Sequence, residues 1–127
     1  MTNIKILVVE DEEAMRNALK DKLTSEEFVV IEAKNGEEGL AMAFQEHPDL
    51  ILLDIIMPRM DGITMMKNLR ADYWGRKVPI VILTNLNPDN TTIKAVEEYH
   101  PSFYLVKSDW NINDLAAKIR EFFGMSH

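Results

Sequence analysis

Five short aliphatic runs, each followed by a stretch with helical spacing, restrict this chain to a narrow set of architectures. Ile4 to Val9 is rich in β-branched residues and suits a buried strand. Asp11 to Ser25 reads as a helix, with Met15, Ala18, Leu19 and Lys22–Leu23 on one stripe and acids in its first turn. Phe28 to Ala33 is a second strand. Asn35 can cap a helix running to about Gln45, with Leu40, Ala43 and Phe44 inward, and Pro48 ends it. Leu50 to Leu53 is apolar throughout, as a strand covered on both faces should be. Pro58 and Asp61–Gly62 mark a loop before a helix whose Ile63, Met66 and Leu69 face a core. Val78 to Leu83 is a fourth strand. Pro88 and Asp89 open a fourth helix, in which Ile93, Val96 and Tyr99 align. Phe103 to Val106 is a fifth strand. The last helix carries Ile112, Leu115, Ala116, Ile119, Phe122 and Phe123, with Asn111 as cap and Gly124 as stop. Strands alternating with helices in this way predict an α/β fold: a single doubly wound, five-stranded parallel sheet with five helices on its two faces.

A chain of 127 residues is expected to form one domain, 1–127, with a core that needs no staples. No linker or repeat interrupts it, and the end soon after the fifth helix predicts no output domain within the chain. The absence of cysteine excludes disulfides and thiolate metal sites. With no signal peptide and no apolar run long enough to span a bilayer, a cytoplasmic, membrane-free protein is expected. A net charge of −7 argues against direct binding to nucleic acid.

In an open parallel sheet, ligands bind beyond the carboxyl ends of the strands. After the first strand come Glu10–Asp11–Glu12–Glu13, after the third Asp54, after the fourth Thr84–Asn85, and after the fifth Lys107–Ser108. Carboxylates, a hydroxyl and an ammonium therefore converge on one edge. Crowded carboxylates repel, and a lysine or a hard divalent cation relieves the repulsion. Such a cation can also hold a phosphate oxygen, so the set suits phosphoryl transfer to a carboxylate nucleophile.

The order and strand-end placement of Glu10–Asp11, Asp54, Met57–Pro58, Asp61–Gly62, Thr84, Tyr104 and Lys107 resemble the receiver domain of response regulators in two-component signalling, of flavodoxin-like fold. The resemblance covers nearly the whole chain. It implies that Asp54 accepts a phosphoryl group. It also implies Mg2+ (or Mn2+) held by Asp11 and Asp54, by Glu10 directly or through water, and by the backbone carbonyl of Ile56. Thr84 and Lys107 would grip the phosphoryl group. Tyr104 would turn inward as Thr84 moves, reshaping the face of the fourth helix, fifth strand and fifth helix; simple packing is an equally good reading of this tyrosine. The implied donor is a histidine kinase or phosphotransfer protein, and the implied output is a downstream protein or a separate domain. Such a chain is not an enzyme beyond its own phosphorylation and dephosphorylation.

The chain departs from the family pattern at several positions. Glu10 stands where Asp is more usual, and its longer arm predicts a carboxylate shifted outward. Asn85, Ile56 and Leu86 flank the site and would modulate access to it, with slow hydrolysis as the consequence. Ser108 replaces a proline; a cis bond ahead of it would cost about 2.5–4 kcal/mol, so a trans bond is expected, with Trp110 filling the space. His47, His100 and His127 read as solvated surface, and the methionines as core filler. The competing reading is a receiver-like module that binds protein without taking phosphate. Enzymes of related fold fit poorly. A nucleotide binder would present backbone N–H groups, not four acids, after the first strand. An aspartyl phosphatase would carry a second acid where Ile56 stands.

Overall fold

The computed structural model of the chain describes residues 3–85 and 90–125, with the side chains of residues 90–93 excepted. The strands are β1 (Lys5–Val9), β2 (Val29–Ala33), β3 (Leu50–Leu53), β4 (Ile80–Thr84) and β5 (Phe103–Val106). The helices are α1 (Glu13–Ser25), α2 (Gly36–Glu46), α3 (Gly62–Ala71), α4 (Asn90–Glu98) and α5 (Ile112–Phe122). All strands pair in parallel in the order β2-β1-β3-β4-β5, the predicted doubly wound sheet.

The two-residue period of the strands divides the core. Leu7, Val9, Ile51, Leu53, Ile80 and Ile82 point to one face and meet Ala43 of α2, Met65, Met66 and Leu69 of α3, and Val96 of α4. Ile6, Val8, Leu50, Leu52, Val81, Leu83 and Leu105 point to the other and meet Leu19, Leu23, Leu115, Ala116 and Ile119 of α1 and α5. β3 is thus buried on both faces, which accounts for its unbroken apolar sequence.

Local details differ from the sequence expectations. α1 begins at Glu13 rather than Asp11, leaving Glu10 and Asp11 in the preceding loop. β4 starts after Pro79 and ends with Thr84 inside the strand. Ala18 is exposed. Phe44 is 38% exposed and faces Trp74 edge-on, because Trp74 lies on a short 3-10 turn (Trp74–Arg76) that the sequence pattern did not announce. Trp74 also stacks on the exposed His47 at 4.3 Å. Lys107–Asp109 form a second 3-10 turn, no described peptide bond is cis, and Trp110 packs against the α1–α5 core. Leu86, Pro88, Asp89, His127 and the side chain of Ile93 lie outside the described residues.

Arg70 joins α3 to the opposite end of the sheet. Its guanidinium donates to the carbonyls of Tyr99 (2.8 Å), Gly75 (2.9 Å), Val78 (2.7 Å) and His100 (3.1 Å). Burial pushes its pKa down, but an arginine remains charged at any working pH. Two of these carbonyls close the C-terminal end of α4, where the chain passes through a left-handed residue, His100. Arg70→Met should therefore cost roughly 2–3 kcal/mol, since it strands several part-buried carbonyls at once. Urea denaturation of the variant checks this, and an unchanged midpoint would refute it.

Candidate functional site

The strand order reverses between β1 and β3, and the crevice beyond such a reversal is where doubly wound sheets bind ligands. Val9 pairs with Leu53, so Glu10 and Asp54 leave the sheet side by side. Thr84 pairs with Val106, which brings Lys107 to the same edge. Glu10, Asp11, Glu12, Asp54, Ile56, Thr84, Asn85 and Lys107 line one open depression there.

Glu10 and Asp54 are 2% and 8% exposed, whereas Asp11 is on the surface. One carboxylate oxygen from each of Glu10, Asp11 and Asp54 lies within 4.8 Å of the others. Lys107 donates to Oε1 of Glu10 and, at 3.2 Å, to Oδ2 of Asp54. The remaining oxygens are held by backbone: Glu12 N–H donates to Glu10 Oε2 at 3.2 Å and Ile56 N–H to Asp54 Oδ1 at 3.3 Å. The longer arm of Glu10 therefore does not carry its carboxylate outward; it folds in over the lysine.

Burial pushes the Glu10 carboxyl up from its ordinary value, and the bond from Lys107 offsets this only in part. Burial alone would lower Lys107, but the hydrogen bond to Glu10 and the attraction of Asp54 outweigh it and hold the ammonium above its ordinary pKa. The asymmetry follows from the count of charges. Lys107 has two anionic partners to set against its burial, whereas Glu10 is opposed by burial and by the neighbouring Asp54 and has one cation to offset them.

Three converging carboxylates and one ammonium leave a net charge of about −2, concentrated on oxygen donors in a partly solvated cleft. This donor set fits a hard divalent cation of the magnesium type, which takes a few carboxylates and retains water. Asp11 is exposed, and so is the side chain of Ile56, at 59%. Tyr104 is half-buried on the α2–α3–α4 side of the sheet, sharing a face with Ile82, so it packs against that core. Asn85 is exposed at the rim.

The sequence pattern marks Gly62 as part of a loop and of the family resemblance but not for the contact it makes, and it assigns Arg16 no role. Gly62, the first residue of α3, lies directly against the backbone of Asp54. Arg16 of α1 donates to the Glu10 carbonyl at 2.9 Å. The only sequence signal for Arg16 is a lone cation one turn into an otherwise acidic helix start.

Such a sheet, with an acidic pocket and a lysine at its carboxyl edge, is the arrangement of a receiver-type doubly wound domain. The chain belongs to the response regulator receiver domain family, which it matches over residues 6–120. It is 43% identical over 93 residues to the response regulator PleD of Caulobacter vibrioides, covering 73% of this chain and 20% of that protein. It is 37% identical over 120 residues to the probable transcriptional regulator ycf27 of Porphyridium aerugineum, covering 94% of this chain and 48% of that one. The chain thus spans between a fifth and about a half of these curated relatives. Among solved structures, the chemotaxis protein CheY4 of Vibrio cholerae superposes with a TM-score of 0.85 at 26% identity, over 94% of this chain and 98% of its own. Receiver domains are signalling switches that partner with histidine kinases and bind magnesium at an acidic pocket. No helix among the described residues is long and apolar enough to cross a membrane.

Proposed function

We propose that this chain is a phosphorylation-dependent switch of a two-component system, a single receiver domain over residues 1–127, with Asp54 as the phospho-acceptor. The observation that carries this reading is the setting of Asp54. It is a buried carboxylate at the end of the central strand, held by Lys107 and the Ile56 N–H, with Glu10 and Asp11 beside it.

In the transfer, a carboxylate oxygen of Asp54 attacks the phosphorus of a phosphohistidine on a partner kinase or phosphotransfer protein. The P–N bond breaks, a P–O bond forms, and the imidazole takes up a proton. Hydrolysis of the acyl phosphate returns the carboxylate and inorganic phosphate. Magnesium, held by Asp11, Asp54, Glu10 and the Ile56 carbonyl, would supply charge neutralisation for the phosphoryl oxygens. The phosphoryl group carries up to two negative charges in place of the carboxylate's one. Lys107 pairs with one of its oxygens and the Thr84 hydroxyl donates to another. Movement of Thr84 frees room for Tyr104, and the α4–β5–α5 surface changes in consequence. The output is a contact with a downstream protein or a separate domain; transcriptional regulators among the relatives favour that kind of target. A cytoplasmic location fits a kinase partner. Ile56 presents an exposed apolar side chain where a polar group would orient an attacking water, and Asn85 lines the same depression, so hydrolysis should be slow.

Intact mass spectrometry after incubation with magnesium and a small-molecule phosphodonor tests the reading. One phosphoryl group should be added to wild type, none to Asp54→Ala, and none after chelation of the metal. The adduct should decay over minutes or longer, and a half-life of seconds would sink the slow-hydrolysis claim. No adduct under any condition would leave a receiver-like module that binds its partner without phosphate.

A further inference from the structure

The acidic loop that follows β1 has an anchor outside the pocket. Arg16 lies in the first turns of α1, where its backbone N–H donates to Glu12 O at 2.9 Å. Its side chain turns back over the loop instead of toward solvent, and is only 16% exposed. Nη1 donates to the carbonyl of Glu10 at 2.9 Å and reaches that of Asp11 at 3.5 Å. On its other side, Nε lies 3.9 Å from Oε2 of Glu32. Glu32 sits on β2 in register with Val8, one residue before the strand that delivers Glu10 comes to its end. Its second oxygen is 3.6 Å from Lys20, beyond hydrogen-bond reach. The guanidinium therefore ties α1, the loop and β2 together through the carbonyls of two residues whose carboxylates enter the pocket.

The geometry points to Arg16 as a positioning residue for the divalent cation. By holding the Glu10 and Asp11 carbonyls on the α1 side, it keeps both carboxylates turned toward Asp54. This rests on the reading of the acidic pocket as a magnesium site. The planar fork of arginine serves two carbonyls and a carboxylate at once, which the point charge of lysine cannot do. Groups that orient metal ligands in this way typically contribute ten-fold or more to affinity.

The role separates from the two alternatives by sign. If Arg16 acted through its charge alone, removing that charge would relieve repulsion of the cation. Arg16→Gln would then bind magnesium more tightly and Arg16→Lys like wild type. If it were only a structural ion pair, thermal stability would fall with no change in affinity. A positioning role predicts weaker binding in both variants, by about ten-fold in Arg16→Lys despite the retained charge. Lys20→Gln, which removes the other cation near Glu32, should bind like wild type.

Titration calorimetry of magnesium into the metal-free protein reads this directly, with circular dichroism to verify folding. Weakened binding in Arg16→Lys and Arg16→Gln supports the assignment. Wild-type affinity in Arg16→Lys, or tighter binding in Arg16→Gln, overturns it. If the Arg16 variants do not fold, Glu32→Gln decides: it keeps the guanidinium but loosens its anchor, and should weaken binding by a smaller factor, whereas unchanged affinity overturns the assignment. Absence of magnesium binding to wild type itself would instead remove the metal site on which the proposed function rests.

Discussion

Lys107→Met should lower the stability of the metal-free protein by about 3 kcal/mol at neutral pH, and magnesium should restore much of that loss. The lysine and its two partners have side chains only 7% (Lys107), 3% (Glu10) and 9% (Asp54) exposed. Taking the cation from such a cluster leaves buried carboxylates facing one another without compensation, the costly half of breaking a buried ion pair. The sign of the pH dependence follows from the shifts. Lys107 is raised, so its contribution is complete below the unfolded-state value near 10.4 and disappears as pH climbs through the higher folded value. Glu10 is also raised, which for an acid means that its ionised form costs stability above the folded pKa. That cost vanishes as pH falls from the folded value toward 4.5. Without the lysine, Glu10 should rise further, so the variant's deficit should shrink between pH 7 and pH 5. Magnesium and Lys107 offset the charge of the same carboxylates, so the metal's stabilising effect should be larger in the variant than in wild type. Urea denaturation at both pH values, with and without magnesium, measures each part. A deficit that ignores the metal would mean that Lys107 is a packing residue and not the pocket's counter-charge.

The convergence of Glu10, Asp11, Asp54, Thr84 and Lys107 was legible in the sequence because parallel strands covered on both faces are nearly continuous in apolar character, and their last residues are easily found. Once the strands are placed, the carboxyl edge follows from chain direction alone. What the pattern missed depends on side-chain paths that periodicity does not carry. Glu10 was expected to reach outward, yet Lys107 and the Glu12 N–H draw it in. Helical spacing turns Phe44 inward, but the 3-10 turn at Trp74 gives it an aromatic partner near the surface. Arg16 binds carbonyls, and a carbonyl leaves no mark in a sequence. The composition of Asp61–Gly62 marks a loop, but only Asp61 lies outside the helix. Asp61 caps α3, accepting from Thr64 N–H at 2.8 Å, but Gly62 is already helical and has no left-handed backbone to justify a glycine.

The reason for Gly62 is space, and it leads to the second large effect. A Cβ built there would lie 2.3 Å from the carbonyl oxygen of Asp54 and 2.9 Å from Cα of Ile55, both backbone atoms that no rotamer change can remove. The Gly62 N–H also donates to Ile55 O at 2.8 Å, which fixes the start of α3 against the residue after Asp54. Gly62→Ala must therefore push α3 and the Asp54–Ile55 segment apart, at a cost of roughly 3 kcal/mol or more, as overpacking against a rigid neighbour implies. Since the displaced atoms belong to Asp54 itself, phosphoryl uptake should fall further than the folded fraction does. Two comparisons isolate the cause. Asp61→Ala removes only the cap and should cost about 1 kcal/mol with Asp54 left in place. Gly124, where φ is +69° and no atom lies within 4 Å of a built Cβ, should lose only about 1 kcal/mol on substitution by alanine, through backbone strain alone. Denaturation midpoints together with phosphorylation rates, corrected for the folded fraction, distinguish these cases. A Gly62→Ala protein as stable as wild type would mean that helix and strand can part without cost, and that the position of Asp54 is not set by this contact.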